Sequence, residues 1–453
     1  SLFLTILGLG LVLGSLLAVA ILDRPLADRQ PVAFTTAAGD LLLGTYFPGT
    51  QAVGVILLEG FGSDQVTMTS LASQFARSGW HVLTFDFSGH GRSPGTLTFD
   101  NAQTDRLAYQ ALSALQEFKQ LSGLSADQIY FVGHSLGARV ALQSATLNPQ
   151  RVAGLLLLGT QVNLSTNAQS EFFTGTTDTA LPWVQALGPE NPPVPILLVS
   201  GTWDDILTPS NAELLYQRLG GAQAGSQRTL LILPAMLHNY EPFSFRVLAE
   251  LANWETRLHQ PPTAAAVRIF SWIIGLLGLF LLLIAGNRWA GSFGANPPAP
   301  LKLEVKDLRR FLWGKLLLWL AALPLAAILG GLFFIIPLGK PVFNLIYVGF
   351  IGGYGILLLI LYGRGKMPGV RGKLPFGLEN EPLSWKRVLV ALGILLGMLA
   401  LTAAYARTGW FYVFPLNIRL LWLVIFTPFT ALGFWIGLGE ARMLPRQRGP
   451  QTA

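Results

Sequence analysis

The stretch FVGHSLGARV, residues 131–140, sets Ser135 inside a Gly133-His134-Ser135-Leu136-Gly137 frame. The run before it, IYFVGH, has the apolar and branched character of a buried strand, and the run after it, SLGARVALQSATL, has a helical pattern. A serine on such a strand-to-helix turn sits where the chain bends sharply. The flanking glycines leave room for the two elements to close on each other. The hydroxyl is then exposed above the sheet, beside a helix N-terminus whose dipole favours developing negative charge. In this context the motif predicts a nucleophile.

Working outward, residues 30–258 alternate short apolar runs with longer mixed stretches. The runs are PVAFTT, LLLGTYF, VGVILL, HVLTFDF, IYFVGH, AGLLLLG, PILLVSG and TLLILP. Helical patterns lie between several of them, at 67–78 and 101–121, and in the second Leu107, Ala108, Ala111, Leu112, Leu115 and Phe118 recur on one face. Strands alternating with helices predict an α/β domain with a mostly parallel, eight-stranded sheet covered on both faces. Only Ala38-Gly39-Asp40 separates the first two runs, which predicts a hairpin at an antiparallel edge.

A serine hydroxyl needs a base. Of the five histidines, His134 lies in the turn itself, His81 begins a strand, His90 lies in a glycine-rich loop, and His259 sits at the end of the domain. His238 follows the last run, in LPAMLHNYEP, at the strand end where catalysis in open α/β sheets gathers. It is the predicted base. The base needs a carboxylate to fix its tautomer. GTWDDILTP, after PILLVS, offers Asp204 first and Asp205 second. The order Ser135, Asp204, His238 suits this architecture.

The motifs LLEGFGSD, DFSGHGRSPG, VGHSLGA, GTWDDILTP and LHN, met in that order, resemble the α/β-hydrolase superfamily over about residues 31–256. The branch is the one holding lysophospholipase-like, serine-aminopeptidase-like and simple esterase members. The resemblance implies an acyl-enzyme mechanism on the triad and an oxyanion hole made by the backbone N–H groups of Leu136 and Phe61. It also exposes a departure: Glu59-Gly60 stands where the family usually has His-Gly. Glu59 either turns sideways into a loop network or has a raised pKa and a part in substrate selection. In DFSGHGRSPG the glycines and Ser93 are expected to hold loops together, and Arg92 is expected to be solvated or capping, with contact to an acidic substrate the alternative. A short cap at about 160–194 carries Phe172, Phe173, Leu181 and Trp183, which line an acyl pocket or pack the cap onto the core. Glu59, Phe172, Phe173 and Trp183 are the candidate substrate contacts. No metal or cofactor is called for.

The rest of the chain has a different texture. It is 51% hydrophobic and 12% charged, against about 25% charged in ordinary soluble domains. Residues 2–22 carry no charge and are long enough to span a bilayer as a helix. An N-terminal anchor is expected; Ala18-Val19-Ala20 leaves a cleaved signal as the alternative, and either sends the next domain across the membrane. Five more uncharged runs follow, at 269–287, 316–339, 341–363, 388–406 and 420–439, making a five-helix transmembrane region over 266–440 and a basic tail at 441–453. Trp313, Trp385, Trp410 and Tyr412 lie near their ends, as interfacial anchors do. Fifteen Lys and Arg residues fall in the two long connections and the tail, and three on the opposite side. That asymmetry predicts a cytoplasmic C-terminus and an extracytoplasmic domain at 23–265.

The chain has no cysteine, which excludes disulfides and thiolate chemistry. The net charge of +7 sits mostly beside the apolar runs, so the expected partner is the lipid bilayer and not nucleic acid. The expected function is a membrane-anchored serine hydrolase of acyl esters, small or lipid-like. A peptidase or an acyltransferase could use the same triad. A transport or sensing protein with a ligand-binding hydrolase-like domain is the non-enzyme alternative.

Overall fold

In the computed structural model, which describes residues 2–96, 101–148, 152–164, 177–223, 227–253, 263–292, 304–334, 342–371, 385–409, 425–428 and 430, the eight apolar runs form one sheet. Its strands are β1 (Gln30–Thr35), β2 (Leu41–Phe47), β3 (Gly54–Leu58), β4 (His81–Asp86), β5 (Ile129–His134), β6 (Gly154–Leu158), β7 (Ile196–Gly201) and β8 (Arg228–Leu233). The helices are α1 (Leu2–Leu22), α2 (Thr69–Arg77), α3 (Asn101–Ser122), α4 (Leu136–Leu147), α5 (Pro182–Gln185), α6 (Pro209–Arg218), α7 (Phe245–Asn253), α8 (Thr263–Ser292), α9 (Leu308–Phe334), α10 (Val342–Gly363) and α11 (Trp385–Ala406).

The strand order is β1-β2-β4-β3-β5-β6-β7-β8. β1 and β2 form the edge hairpin, β2 pairs antiparallel with β4, and every later pairing is parallel. Successive side chains of a strand point to opposite faces, and the core divides accordingly. Ile56, Leu58, Leu155, Leu157, Ile196 and Leu198 join one cluster, with Leu115, Phe118 and Val140 of α3 and α4. Val55, Leu57, Leu156, Leu158, Leu197 and Val199 join the other, with Leu71 and Phe75 of α2 and Val247 of α7. Continuous apolar strands are thus the consequence of a sheet covered twice.

The cap is rooted by a buried ion pair: Arg139 Nη1 donates to Asp178 Oδ2 at 2.6 Å, and that oxygen also accepts from Asn163 N–H at 2.7 Å. The Arg139 guanidinium lies 5.3 Å from the centre of the Trp183 ring.

The chain divides into two units, one of residues 1–286 with 396–413, the other of 287–395 with 414–453. In the first, α1 packs on α8 and on the last turns of α11. Gly8 and Gly278 meet so closely that a Cβ on Gly278 would lie 2.8 Å from the Gly8 carbonyl oxygen. In the second, α9 packs on α10 through Leu318, Leu358 and Tyr362, and Glu304–Val305 pairs with Val370–Arg371.

Among the described residues, three helices are long and apolar enough to cross a membrane, at 2–22, 266–286 and 308–329, and two shorter apolar helices cover 348–363 and 392–406. Two helices begin earlier than their uncharged runs. α8 takes in Arg268, which is buried and paired with Asp23, and α9 takes in Arg309, Arg310 and Lys315; the exposed Arg309 and Arg310 lie in its first turn, where long basic side chains can direct their charge to water. The run at 420–439 lies almost wholly outside the described residues, as do Trp410, Tyr412 and the basic tail.

Candidate active site

Ser135 is one of three non-glycine residues with positive φ among the described residues, at φ 56° and ψ −115°. Such a conformation costs about 1–3 kcal/mol and survives only where surroundings over-determine it. Here they do. Ser135 N–H donates to Leu158 O of β6 at 2.8 Å, and Ser135 O accepts from the N–H groups of Ala138 and Arg139 in α4, each at 3.1 Å. A Cβ on Gly133 would lie 2.3 Å from Gly137 O, and one on Gly137 would lie 2.3 Å from Leu58 O. Strand β5, helix α4 and the end of β3 therefore close on each other around the serine with no room for side chains at the two glycines.

Asp204 and His238 meet. His238 Nδ1 lies 2.8 Å from Asp204 Oδ2, and Asp204 Oδ1 accepts from Ile206 N–H at 3.0 Å and Leu207 N–H at 2.7 Å. Both side chains are buried, whereas Asp205 is exposed. The carboxylate accepts from the ring only if the proton is on Nδ1, which leaves Nε2 as the basic nitrogen. His238 opens a 3-10 turn, His238–Phe243, that follows β8. The elbow and this turn touch through the residue before the serine: the His134 and His238 rings are 4.8 Å apart, centre to centre, and His134 Nε2 lies 3.0 Å from His238 O. Gly159, next to the Leu158 carbonyl that holds Ser135, lies so near the base that a Cβ on it would be 2.8 Å from His238 Nδ1. Ser135 Oγ makes no hydrogen bond among the described residues.

Burial, reinforced by His238, pushes the His134 imidazole down to about 3. Glu241, three residues after the base, is fully buried; among the described residues neither carboxyl oxygen has a side-chain hydrogen-bond partner, and His134 Nε2 lies 3.8 Å from Oε2. Burial, and then the charge of Asp204, push its carboxyl well above the usual range. Sequence reasoning set His134 aside as the base because it lies in the turn, and did not single out Glu241. His134, His238 and Glu241 bring one potential metal-ligand atom each to within 4.8 Å of one another. His134 Nε2 is already engaged with a carbonyl and His238 Nδ1 with Asp204.

Glu59 has a defined place. Its Oε1 accepts from Phe87 N–H at 2.8 Å and lies 3.1 Å from His90 Nδ1. Gly62 N–H donates to His90 Nε2 at 3.2 Å. A backbone amide can only donate, so the neutral His90 ring carries its proton on Nδ1 and gives it to Glu59. The Phe61 ring stands edge-on to His90 at 6.0 Å. The loop at 60–62 is thus held from behind by a buried Glu59–His90 pair, and it lies against the elbow: a Cβ on Gly60 would be 3.4 Å from Ser135 Cβ. Burial, and then the charge of Asp86, raise the Glu59 carboxyl well above its ordinary value.

Asp86 gathers the glycine-rich loop. It accepts from Gln65 N–H, Gln65 Nε2 and Arg92 N–H, while Ser93 Oγ donates to its carbonyl. Arg92 and Ser93 are therefore loop-holding residues. Trp183 belongs to the main core cluster. Phe172 and Phe173 lie outside the described residues.

Residues 54–187 match the family described as alpha/beta hydrolase fold. An uncharacterized protein of Mycobacterium tuberculosis is 27% identical over 224 residues, 46% of this chain and 72% of its own length. A putative esterase/lipase of Mycoplasma genitalium is 27% identical over 25% of this chain and 40% of its own. The protein phosphatase methylesterase 1 of Candida albicans is 32% identical over 25% of this chain and 31% of its own. Among solved structures, an esterase of Pyrococcus furiosus covers 52% of this chain and 92% of its own, with 17% identity and a TM-score of 0.41.

Proposed function

We propose that this chain, whose residues 54–187 match the α/β-hydrolase superfamily, is a membrane-anchored serine hydrolase cleaving carboxylic esters of lipid-like acyl compounds. The observation that carries this reading is the Asp204–His238 hydrogen bond beside a serine locked at positive φ.

In this reading Ser135 Oγ attacks the acyl carbonyl and His238 Nε2 takes its proton. Asp204 holds the ring and offsets the imidazolium charge. The backbone amides of Phe61 and Leu136 hold the oxyanion. His238 then protonates the departing alcohol, activates water against the acyl-serine, and returns the proton to Ser135 as the acid leaves. The Ser135–His238 hydrogen bond is expected to close on substrate, since catalytic hydrogen bonds often tighten only in the complex. Trp203 and Leu237, the residues before Asp204 and His238, are largely exposed, and Trp203 N–H donates to the carbonyl of Met236, the residue before Leu237. Apolar side chains at that rim favour an acyl chain over a polar peptide. The relatives named for ester cleavage point to the same class.

A membrane-impermeant fluorophosphonate applied to intact cells tests the reading. Wild-type protein is expected to label and Ser135→Ala to be silent. Folded wild-type protein that resists the probe would sink the mechanism. A panel of acyl esters and aminoacyl amides then separates esterase from peptidase.

A further inference from the structure

The turn that begins with His238 ends on Phe243, and Phe243 packs among membrane-type helices. Its ring meets Trp272 of α8 edge-on at 5.7 Å. Both are buried in a cluster with Val12 and Val19 of α1, Leu279 and Leu282 of α8 and Tyr405 of α11, and Tyr240 of the same turn packs against it. Trp272 is itself fixed: its Nε1–H donates to Thr408 Oγ1 at 2.8 Å, and Gly409 lies so close that a Cβ there would be 2.8 Å from the indole.

Polar contacts tie the same helices together. Arg268 donates to Thr408 O at 2.7 Å and is paired with Asp23. Tyr405 and Ser15 share a hydrogen bond, and Ser15 Oγ donates to Ser271 O. The Leu22 carbonyl at the end of α1 accepts from Ser73 and Arg77 of α2 in the hydrolase domain.

We infer that Trp272, on a membrane helix, is a positioning residue for the base His238, acting through Phe243; the inference rests on the triad reading above. Asp204 and His134 fix the first residue of a turn about 10 Å long at 2 Å per residue, and Trp272 fixes its last. A single tether needs one helix. A bundle of α1, α8 and the end of α11 that cradles this turn does more, because the geometry of the proton transfer then depends on the assembled helices. Misplacement of a reacting group by about 1 Å costs on the order of 100-fold in rate.

The experiment uses the full-length protein in lipid nanodiscs, with a soluble acyl ester as substrate and the fluorophosphonate labelling rate as a second readout. Trp272→Ala is expected to lower kcat and the labelling rate about 10-fold or more, with KM within about threefold. Trp272→Phe, which keeps a ring under Phe243, is expected to restore most of the loss. Leu282→Ala opens a cavity in the same cluster ten residues along α8 and is expected to lower stability while leaving kcat near wild type. Equal losses in Trp272→Ala and Leu282→Ala would reduce Trp272 to a structural residue, and an unchanged kcat in folded Trp272→Ala would overturn the inference with the triad intact. Failure of the triad reading shows differently, as wild-type protein that does not label at all.

Discussion

The carboxyl of Glu59 has one oxygen taken by two donors and a second, buried, with none. Burial, and then the charge of Asp86, raise this carboxyl well above its ordinary value; in the neutral form the second oxygen would carry the proton and leave Oε1 as the acceptor. Glu59→Gln preserves that acceptor, so turnover is expected within a few-fold of wild type. Glu59→Leu strands the Phe87 amide and frees His90, and through Gly62 it loosens the proposed oxyanion loop. A loss of about 10- to 100-fold in kcat with little change in KM is expected, since losing one oxyanion donor outright costs about 100- to 1000-fold. Steady-state kinetics on a soluble ester read the difference. Glu241 and His134 make the complementary statement about stability. The folded chain holds the Glu241 proton above pH 4.5, where the unfolded chain releases it. Native stability from this group is therefore lost as pH rises, by up to about 1.4 kcal/mol per pH unit. Glu241→Gln is expected to gain thermal midpoint over wild type progressively as pH rises above 4.5; a constant offset would mean that the buried carboxyl is ionised. His134 acts on the other limb: the unfolded imidazole gains a proton below about 6.5 that the folded one takes only near 3, so stability is lost as pH drops from about 6.5 towards 3.

At the scale of elements, the elbow is a packing problem solved by absence of side chains. Gly137→Ala would place a methyl 2.3 Å from the Leu58 carbonyl. Backbone cannot give way cheaply, so α4 must lift from β3 and carry Ser135 with it. A destabilisation of about 1–3 kcal/mol and loss of fluorophosphonate labelling are expected. Gly14→Ala, in α1 with nothing near its added methyl, should change neither, which makes it the control. The inner strands β3 to β7 were legible because a doubly covered parallel sheet needs continuous apolar runs between turn residues, and the edge pair β1 and β2 was legible from its short hairpin connection. The Gly133–Gly137 frame and the loops bearing Asp204 and His238 were legible for the same reason: local chemistry marks strand ends. The hubs behind them were not. His90 and Glu59 are 31 residues apart, and Phe243 meets Trp272 only after the chain has left the domain and returned as α8. Nothing in the periodicity of either segment announces the contact, because it depends on which faces tertiary packing brings together. Glu241 was hidden differently, since a buried acid contradicts the ordinary rule that charged residue types sit outside.

For the whole molecule, the fifteen-to-three partition of Lys and Arg around the apolar runs makes a claim about sidedness. Basic residues resist translocation and stay cytoplasmic, so the connection after α8 is expected inside and the hydrolase domain outside, with α8 crossing between them. The chain lacks cysteine, so single cysteines report position without a background. Gln116 of α3 and Arg309 of α9 are both exposed, and losing Arg309 removes one positive of the fifteen. In intact cells an impermeant maleimide is expected to modify Gln116→Cys and to reach Arg309→Cys only after permeabilisation. The reverse pattern would invert the topology and put the hydrolase site in the cytoplasm. Labelling of both in intact cells would remove the crossing by α8, and with it the idea that a membrane helix steadies the base.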